Sequence, residues 1–254
     1  MSLTRKVAHN TVIQIGGKIL STALGLLAIG MMTRYLGQEQ FGWYVTAISY
    51  LQFIGILIDF GLIPVTAQMM SAPAYDKTHL FRNLLGYRFA TAILFLGIAP
   101  LIALFFPYPI QVKIAIAFST LSFLGIAMNQ VLIGFYQTKL KMHIPVIGEV
   151  AGRIAFLVAL FFFIRGNAGF LYIMGAVALG SLIYTLVLWV AAHRETSVSF
   201  AFDRDVWIAI TKKMWPIAIS IIFNVVYLKG DIVILSLVRS QSEVGIYGAA
   251  YRVL

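Results

Sequence analysis

The sequence predicts an all-α polytopic membrane protein: a six-helix N-terminal lobe, then the first helix and the start of the next from a second lobe in parallel repeat. Three observations carry this reading. Of 254 residues, 61% are hydrophobic and only 11% charged, against roughly 45–50% and 25% in a soluble domain. The mean hydropathy is +0.92. The apolar residues also gather into runs of about 20, the length that crosses about 30 Å of hydrocarbon as a helix. A soluble globule must cover itself with polar side chains, so this much apolar surface needs lipid around it. Open strands would leave backbone groups unpaired in lipid, and a closed barrel would show alternating segments of about ten residues, which are absent from this sequence.

The windows follow in order. The first, Thr11 to Thr33, comes after Arg5 and Lys6 but has no small-residue cleavage site, so it reads as a retained span. The second, Tyr44 to Pro64, carries Gly61 and Pro64, which bend or end it, and Tyr44 as an interface anchor. Gly37 and Gly42 are expected to permit the tight turn between these two spans. Leu84 to Phe106, Ile114 to Tyr136, Val146 to Ile164 and Phe170 to Ala191 complete the first lobe, and Trp215 to Leu237 makes the seventh span. The expected division is residues 1–192 for the six-span lobe, 193–214 for an inter-lobe loop and 215–254 for the start of the second lobe. Within the loop, Asp205 to Met214 reads as a short interfacial helix, with Val206, Trp207 and Ile210 on one side and Lys212 and Lys213 nearby.

Basic residues orient the bundle. With the N-terminus in the cytoplasm, the inner segments hold Arg5, Lys6, Lys77, Arg82, Lys139, Lys141, Arg194, Arg204, Lys212 and Lys213, while the outer ones hold only Arg34, Lys113, Arg165 and Arg239. That asymmetry is the positive-inside pattern. It also accounts for the net charge of +10 through loops and anionic headgroups, with no nucleic-acid partner required. There is no cysteine, which excludes disulfides and thiolate metal sites, and His9, His79, His143 and His193 show no metal-ligand spacing. No cofactor or metal is expected. Outer loops of about 5 to 10 residues are too short for a catalytic domain, which sets aside an integral-membrane transferase.

One internal repeat stands out. Phe41-Gly42-Trp43-Tyr44-Val45-Thr46-Ala47 after the first span matches Val244-Gly245-Ile246-Tyr247-Gly248-Ala249-Ala250 after the seventh, at an offset of 203 residues. The six intervening spans restore the same orientation, as in transporters built from two parallel bundles. The chain is accordingly expected to be an N-terminal fragment, stopping inside an eighth span.

Polar residues within the spans mark where function is sought, because lipid makes them costly. Asn10, Gln14, Lys18 and Ser21 share a face of the first span, Ser49, Gln52 and Asp59 a face of the second, and Ser220, Asn224, Tyr227 and Asp231 a stripe of the seventh. Such stripes either join helices or line a wet cavity. Lys18, Arg88, Arg153, Lys229 and Asn224 are the cavity candidates; Asp59, Glu149 and Asp231 are the candidate coupling or ion-pair acids. Arg88 lies about one turn deep, so snorkelling to the headgroups is the competing explanation. Glu149 and Arg153, at i and i+4, have mutual neutralisation as theirs. A Lys18–Asp59 pair is allowed by depth, and convergence of Lys18, Arg88 and Arg153 would give a positive lining suited to phosphate.

Leu36-Gly37-Gln38-Glu39-Gln40-Phe41-Gly42-Trp43-Tyr44, then Asp59-Phe60-Gly61-Leu62, then Pro216 to Tyr251 with Asp231 and the repeat copy, resemble the polysaccharide biosynthesis protein family, O-antigen flippase-like members of the multidrug/oligosaccharidyl-lipid/polysaccharide exporter superfamily. The resemblance implies a multi-pass transporter of the bacterial inner membrane, with two six-helix lobes that open alternately to either side. Its implied cargo is a polyprenyl-diphosphate-linked oligosaccharide used for surface polysaccharide such as lipopolysaccharide O-antigen, and its implied partners are membrane lipids and the polysaccharide polymerase machinery. A cation-coupled drug or metabolite antiporter of the same superfamily is the alternative, and would rest more on Asp59 or Asp231. A receptor-like seven-span bundle would have the opposite orientation.

Overall fold

Among the residues described by the computed structural model, 3–59, 61–73 and 75–251, the chain forms eight helices; the side chains of 3, 4, 6, 56–59, 225 and 229 lie outside the described set. The helices are α1 (Leu3–Asp59), α2 (Leu62–Ser71), α3 (Lys77–Ala103), α4 (Ile110–Thr138), α5 (His143–Arg165), α6 (Phe170–His193), α7 (Arg204–Val238) and α8 (Gln241–Tyr251). Six of these are long and apolar enough to cross a membrane. The chain is an all-α polytopic membrane protein.

The apolar part of α1, Val7–Gly55, is 49 residues long, about 74 Å at 1.5 Å per residue and more than two bilayer cores. It makes two crossings, because Gly37 adopts φ 66° and ψ −174° and reverses the chain. Nothing lies within 4 Å of where a Gly37 Cβ would stand, so the backbone angle, not space, selects glycine there. The reversal shows in the partners. Asn10 bonds the Leu140 carbonyl, and the Tyr35 hydroxyl donates to the Ala168 carbonyl at 2.7 Å. The Trp43 ring then meets Phe170, 5.4 Å between centroids, at that same Gly37 end. Farther on, Thr66 in α2 packs on Gly134 near the Leu140 end of α4. Residues 3–36 and 38–59 therefore form a hairpin between a Gly37 end and a basic end carrying Lys139, Lys141 and Arg194.

Gly61, at φ 75°, breaks the second crossing where a bend was expected, and α2 continues beyond it. Hairpins α3–α4 and α5–α6 pack around this pair. In α5–α6 the Gly152 and Gly180 backbones touch: a Cβ at Gly152 would stand 2.5 Å from the Gly180 oxygen, and one at Gly180 would stand 2.9 Å from the Gly152 oxygen. Close backbone approach of this kind drives helix association where lipid removes the hydrophobic force. Tyrosines tie helices across the core, Tyr50 to the Ala99 carbonyl at 2.7 Å and Tyr136 to the Leu188 carbonyl at 3.2 Å.

The segment after α6 is held against the lobe. The Ala201 N–H donates to the Arg82 carbonyl at 3.1 Å, and the Phe200 ring stacks on Phe89 at 4.8 Å. Asp203 then caps α7 by accepting from the Asp205 and Val206 amides, and lies 3.6 Å from His79 Nε2. The stretch Asp205 to Met214, expected as a separate short helix, forms the first turns of α7, which runs 35 residues straight through Pro216. Pro216, about three turns into α7, removes a single amide donor, and the helix continues past it.

The two copies of the repeat meet. A Cβ on Gly42 would stand 1.7 Å from the Gln241 carbonyl oxygen, and one on Gly245 would stand 2.1 Å from the Gln38 carbonyl oxygen. Positions 38 and 42 pair with 241 and 245 at the repeat offset, so the contact is reciprocal about a local pseudo-twofold. Gln38 Oε1 accepts from Ser242 at 2.9 Å, and Gln241 Oε1 accepts from Thr46 at 2.8 Å. Gly42, expected to ease the turn, instead permits this crossing; Gly37 makes the turn alone.

Candidate functional site

Two neighbouring cavities open where α1 faces α5 and α6, one along its first limb and the other beside Tyr44 of its second. One, about 400 Å³, is lined by Gln14, Lys18, Pro145, Val146, Glu149 and Tyr184 among others. The second, about 250 Å³, is lined by Tyr44, Glu149, Arg153, Phe156, Ser181 and Tyr184 among others. Glu149 and Tyr184 belong to both. The helical repeat explains the juxtaposition, since residues 14, 18, 21 and 25 on α1 descend one face in step with 146, 149 and 153 on α5.

That face does two jobs. Asn10 closes the α4–α5 turn, bonding the Leu140 carbonyl and accepting from the Met142 amide at 3.1 Å. Buried Ser21 donates to Glu149 Oε1 at 2.6 Å. Lys18 and Gln14, between them, are exposed on the cavity wall. Glu149 is half-buried and Arg153 exposed, with the Arg153 guanidinium beside Gly25. No ion pair within 4.0 Å joins Glu149 to Arg153 among the described residues; the carboxylate is held by a hydroxyl on a different helix. Tyr184 and Ser181 were not singled out from the sequence. Their signal was a cluster of hydroxyls, Ser181, Tyr184 and Thr185, within about one turn of the sixth span.

The remaining candidates lie elsewhere. Arg88 is 1% exposed and its Nε donates to the Ala127 carbonyl at 3.0 Å. It does not snorkel, and among the described cavities it lines none, whereas Lys18 and Arg153 each line one. Asn224 is exposed on α7, as are Ser220 and Tyr227, the last at 84%. Asp231 accepts from the Tyr247 hydroxyl of α8 and from the Ile232 amide at 2.7 Å. The Asp59 and Lys229 side chains lie outside the described residues, and the Lys18–Asp59 pair with them. Among the described residues no three His, Asp or Glu side chains cluster as metal ligands.

At the basic end, Lys139 and Lys141 both reach Glu195, each at 2.9 Å. Burial pulls the Glu195 carboxyl upward, but hydrogen bonds and charge from the two lysines outweigh it and hold it below the ordinary carboxylate range. This cluster joins the α4–α5 turn to the end of α6.

Residues 7–254 match the family model described as polysaccharide biosynthesis protein. No curated protein matches the chain. Among solved structures, the fold is similar to "Lipid II flippase MurJ, inward closed conformation", with a TM-score of 0.71 and 13% identity; the match covers 96% of this chain and 54% of that one. At that identity the likeness speaks for the fold, and the present chain spans about half the length of the neighbour.

Proposed function

The chain belongs to the polysaccharide biosynthesis protein family, and from that premise we propose that it is the transporting part of a flippase for lipid-linked oligosaccharide in the bacterial inner membrane. Residues 1–192 form its first lobe, 193–214 connect, and 215–254 open the second. The basic end faces the cytoplasm, following the positive-inside pattern. The single observation that carries this reading is the exposure of Lys18 and Arg153 at membrane depth, in two neighbouring cavities that share Glu149 and Tyr184. Exposed cations at that depth belong in a water-filled space. An ammonium and a guanidinium there meet the charge of a polyprenyl diphosphate, the guanidinium through two parallel N–H donors. The exposed α7 stripe of Ser220, Asn224 and Tyr227 supplies hydroxyl and amide groups suited to sugar.

Alternating access would use the crossing of residues 38–45 with 241–248 as the closed outer seal, which parts when the basic end shuts. The cargo then passes from the cytoplasmic leaflet to the outer one, where polymerase machinery for O-antigen or a related polysaccharide would receive it.

The test uses the full-length protein in proteoliposomes with a fluorescent polyprenyl-diphosphate oligosaccharide. Lys18→Gln and Arg153→Gln are expected to slow its translocation at least tenfold, and Arg165→Gln to leave it unchanged. Normal rates in both cavity variants would refute the assignment. Glu149, shared by both cavities and bonded to Ser21, favours a second reading as a cation-coupled antiporter. On that reading Glu149→Gln abolishes uptake driven by an imposed pH or sodium gradient, while the two cation substitutions are tolerated.

A further inference from the structure

A third cavity, about 310 Å³, lies at the basic end, apart from those two, between α3, the segment before α7 and the first turns of α7. Its walls are Tyr87, Phe202, Trp207 and Ile208, with Arg204, Thr211 and Lys212 as its polar residues. Trp207 stands edge-on to Tyr87 at 5.3 Å and to Phe202 at 4.7 Å. The Tyr87 and Thr211 hydroxyls bond each other at 3.1 Å, so they are already satisfied. The Trp207 indole N–H is buried without a partner. Phe202 is 73% exposed, an aromatic ring left without cover.

Charge narrows what fits. The two cations at this cavity have no carboxylate among its lining residues, and Asp203 nearby is engaged by the α7 amides and His79. Arg204 and Lys212 are separated by eight residues, about 12 Å along the helix axis, a span that their long stems can close around one headgroup. An aromatic and aliphatic slot flanked by two cations, on a helix that begins at a membrane boundary, matches a molecule with a negative head and an apolar tail. We propose that this cavity binds an anionic phospholipid of the adjoining leaflet, its phosphate held between Arg204 and Lys212 and the start of one acyl chain lying against Trp207 and Phe202. Seated there, the lipid bridges α3, the inter-lobe segment and α7. The assignment is independent of the transported cargo.

The full chain is placed in phosphatidylcholine vesicles containing one part in five phosphatidylglycerol, and bromine is carried near the head of the acyl chain on one lipid or the other. Brominated phosphatidylglycerol is expected to quench tryptophan emission at least threefold more than brominated phosphatidylcholine at equal mole fraction. The excess should disappear with Arg204→Gln/Lys212→Gln, both exposed positions, and with Trp207→Phe, which removes the reporter. It should survive Arg204→Lys/Lys212→Arg, which keeps both charges. Equal quenching by the two lipids overturns the proposal, as does an excess that persists in the double glutamine variant or is lost in the charge-keeping one. Abolition of the excess by millimolar inorganic phosphate also overturns it, because free phosphate would then be the ligand.

Discussion

Gly42→Ala adds one methyl group at the point where the two repeat copies touch. Its Cβ would stand 1.7 Å from the Gln241 carbonyl oxygen, 2.6 Å from that carbonyl carbon and 3.2 Å from the Gly245 nitrogen. These are backbone atoms on the opposing helix, so no rotamer change relieves the clash. Ordinary contact begins near 3.4 Å, so the helices must separate by about 1.7 Å at this level. Separation also draws apart the Thr46–Gln241 and Ser242–Gln38 hydrogen bonds on either side. Overpacking of a tight contact costs about 1–3 kcal/mol, which is enough to shift a two-state gate by about tenfold. The chain has no cysteine, so Gln38→Cys with Ser242→Cys reports on this contact without background. Gly42→Ala should reduce the rate of oxidative crosslinking of that pair about tenfold, and Gly245→Ala, whose Cβ would stand 2.1 Å from the Gln38 oxygen, should do nearly as much. An unchanged rate in both alanine variants would refute the reciprocal packing.

Arg88→Met should destabilise the protein by about 1–3 kcal/mol, the cost of removing a buried charged donor from its acceptor, whereas exposed Arg153→Gln should stay within about 0.5 kcal/mol of wild type. Equilibrium unfolding in mixed micelles compares them, and equal stabilities would contradict the burial of Arg88. Gly61→Ala meets two penalties, a left-handed backbone worth about 1–2 kcal/mol and contact with Ile217 Cγ2 at 2.3 Å; adding Ile217→Ala should recover only the second part of the lost melting temperature. Because the two lysines depress the Glu195 pKa in the folded protein, their contribution is present above the unfolded value of about 4.3 and lost as pH falls through the folded value. Glu195→Gln should lower Tm at pH 7 by about 2 °C, as for pairs worth about 0.5–1 kcal/mol, and the two melting curves should draw together as pH falls below about 4.

Hydropathy alone located most of the helices to within about two turns, because lipid imposes a length and a polarity on every crossing; α7 begins about three turns before the expected Trp215. The break at Gly61 and the reversal at Gly37 were readable for a similar reason: so sharp a bend needs a residue without a Cβ. What depth along the chain does not encode is azimuth. Arg88 and Arg153 both lie about three turns from a helix start, yet one turns into the α3–α4 contact and binds a carbonyl while the other faces the cavity. Gly42 looked like a turn residue beside Gly37, since a close approach is set by where another helix crosses, information carried some two hundred residues away. The repeat itself was visible, but nothing in either copy alone announces that the copies touch each other. The continuity of α7 through Pro216 was hidden because a proline near the start of an expected span reads equally as a boundary.

The unbroken length of α7 has a mechanical side. Thirty-five helical residues make a rod of about 52 Å, moored at one extremity by the Asp203 cap and by the Ala201–Arg82 bond just before it. Pivoting such a rod by about ten degrees around its mooring sweeps the far tip through about 9 Å, more than the width of a sugar ring. Small adjustments among Phe202, Trp207 and Tyr87 are therefore geared up along the helix, with Pro216 the point on the way where an amide donor is missing and the helix can bend.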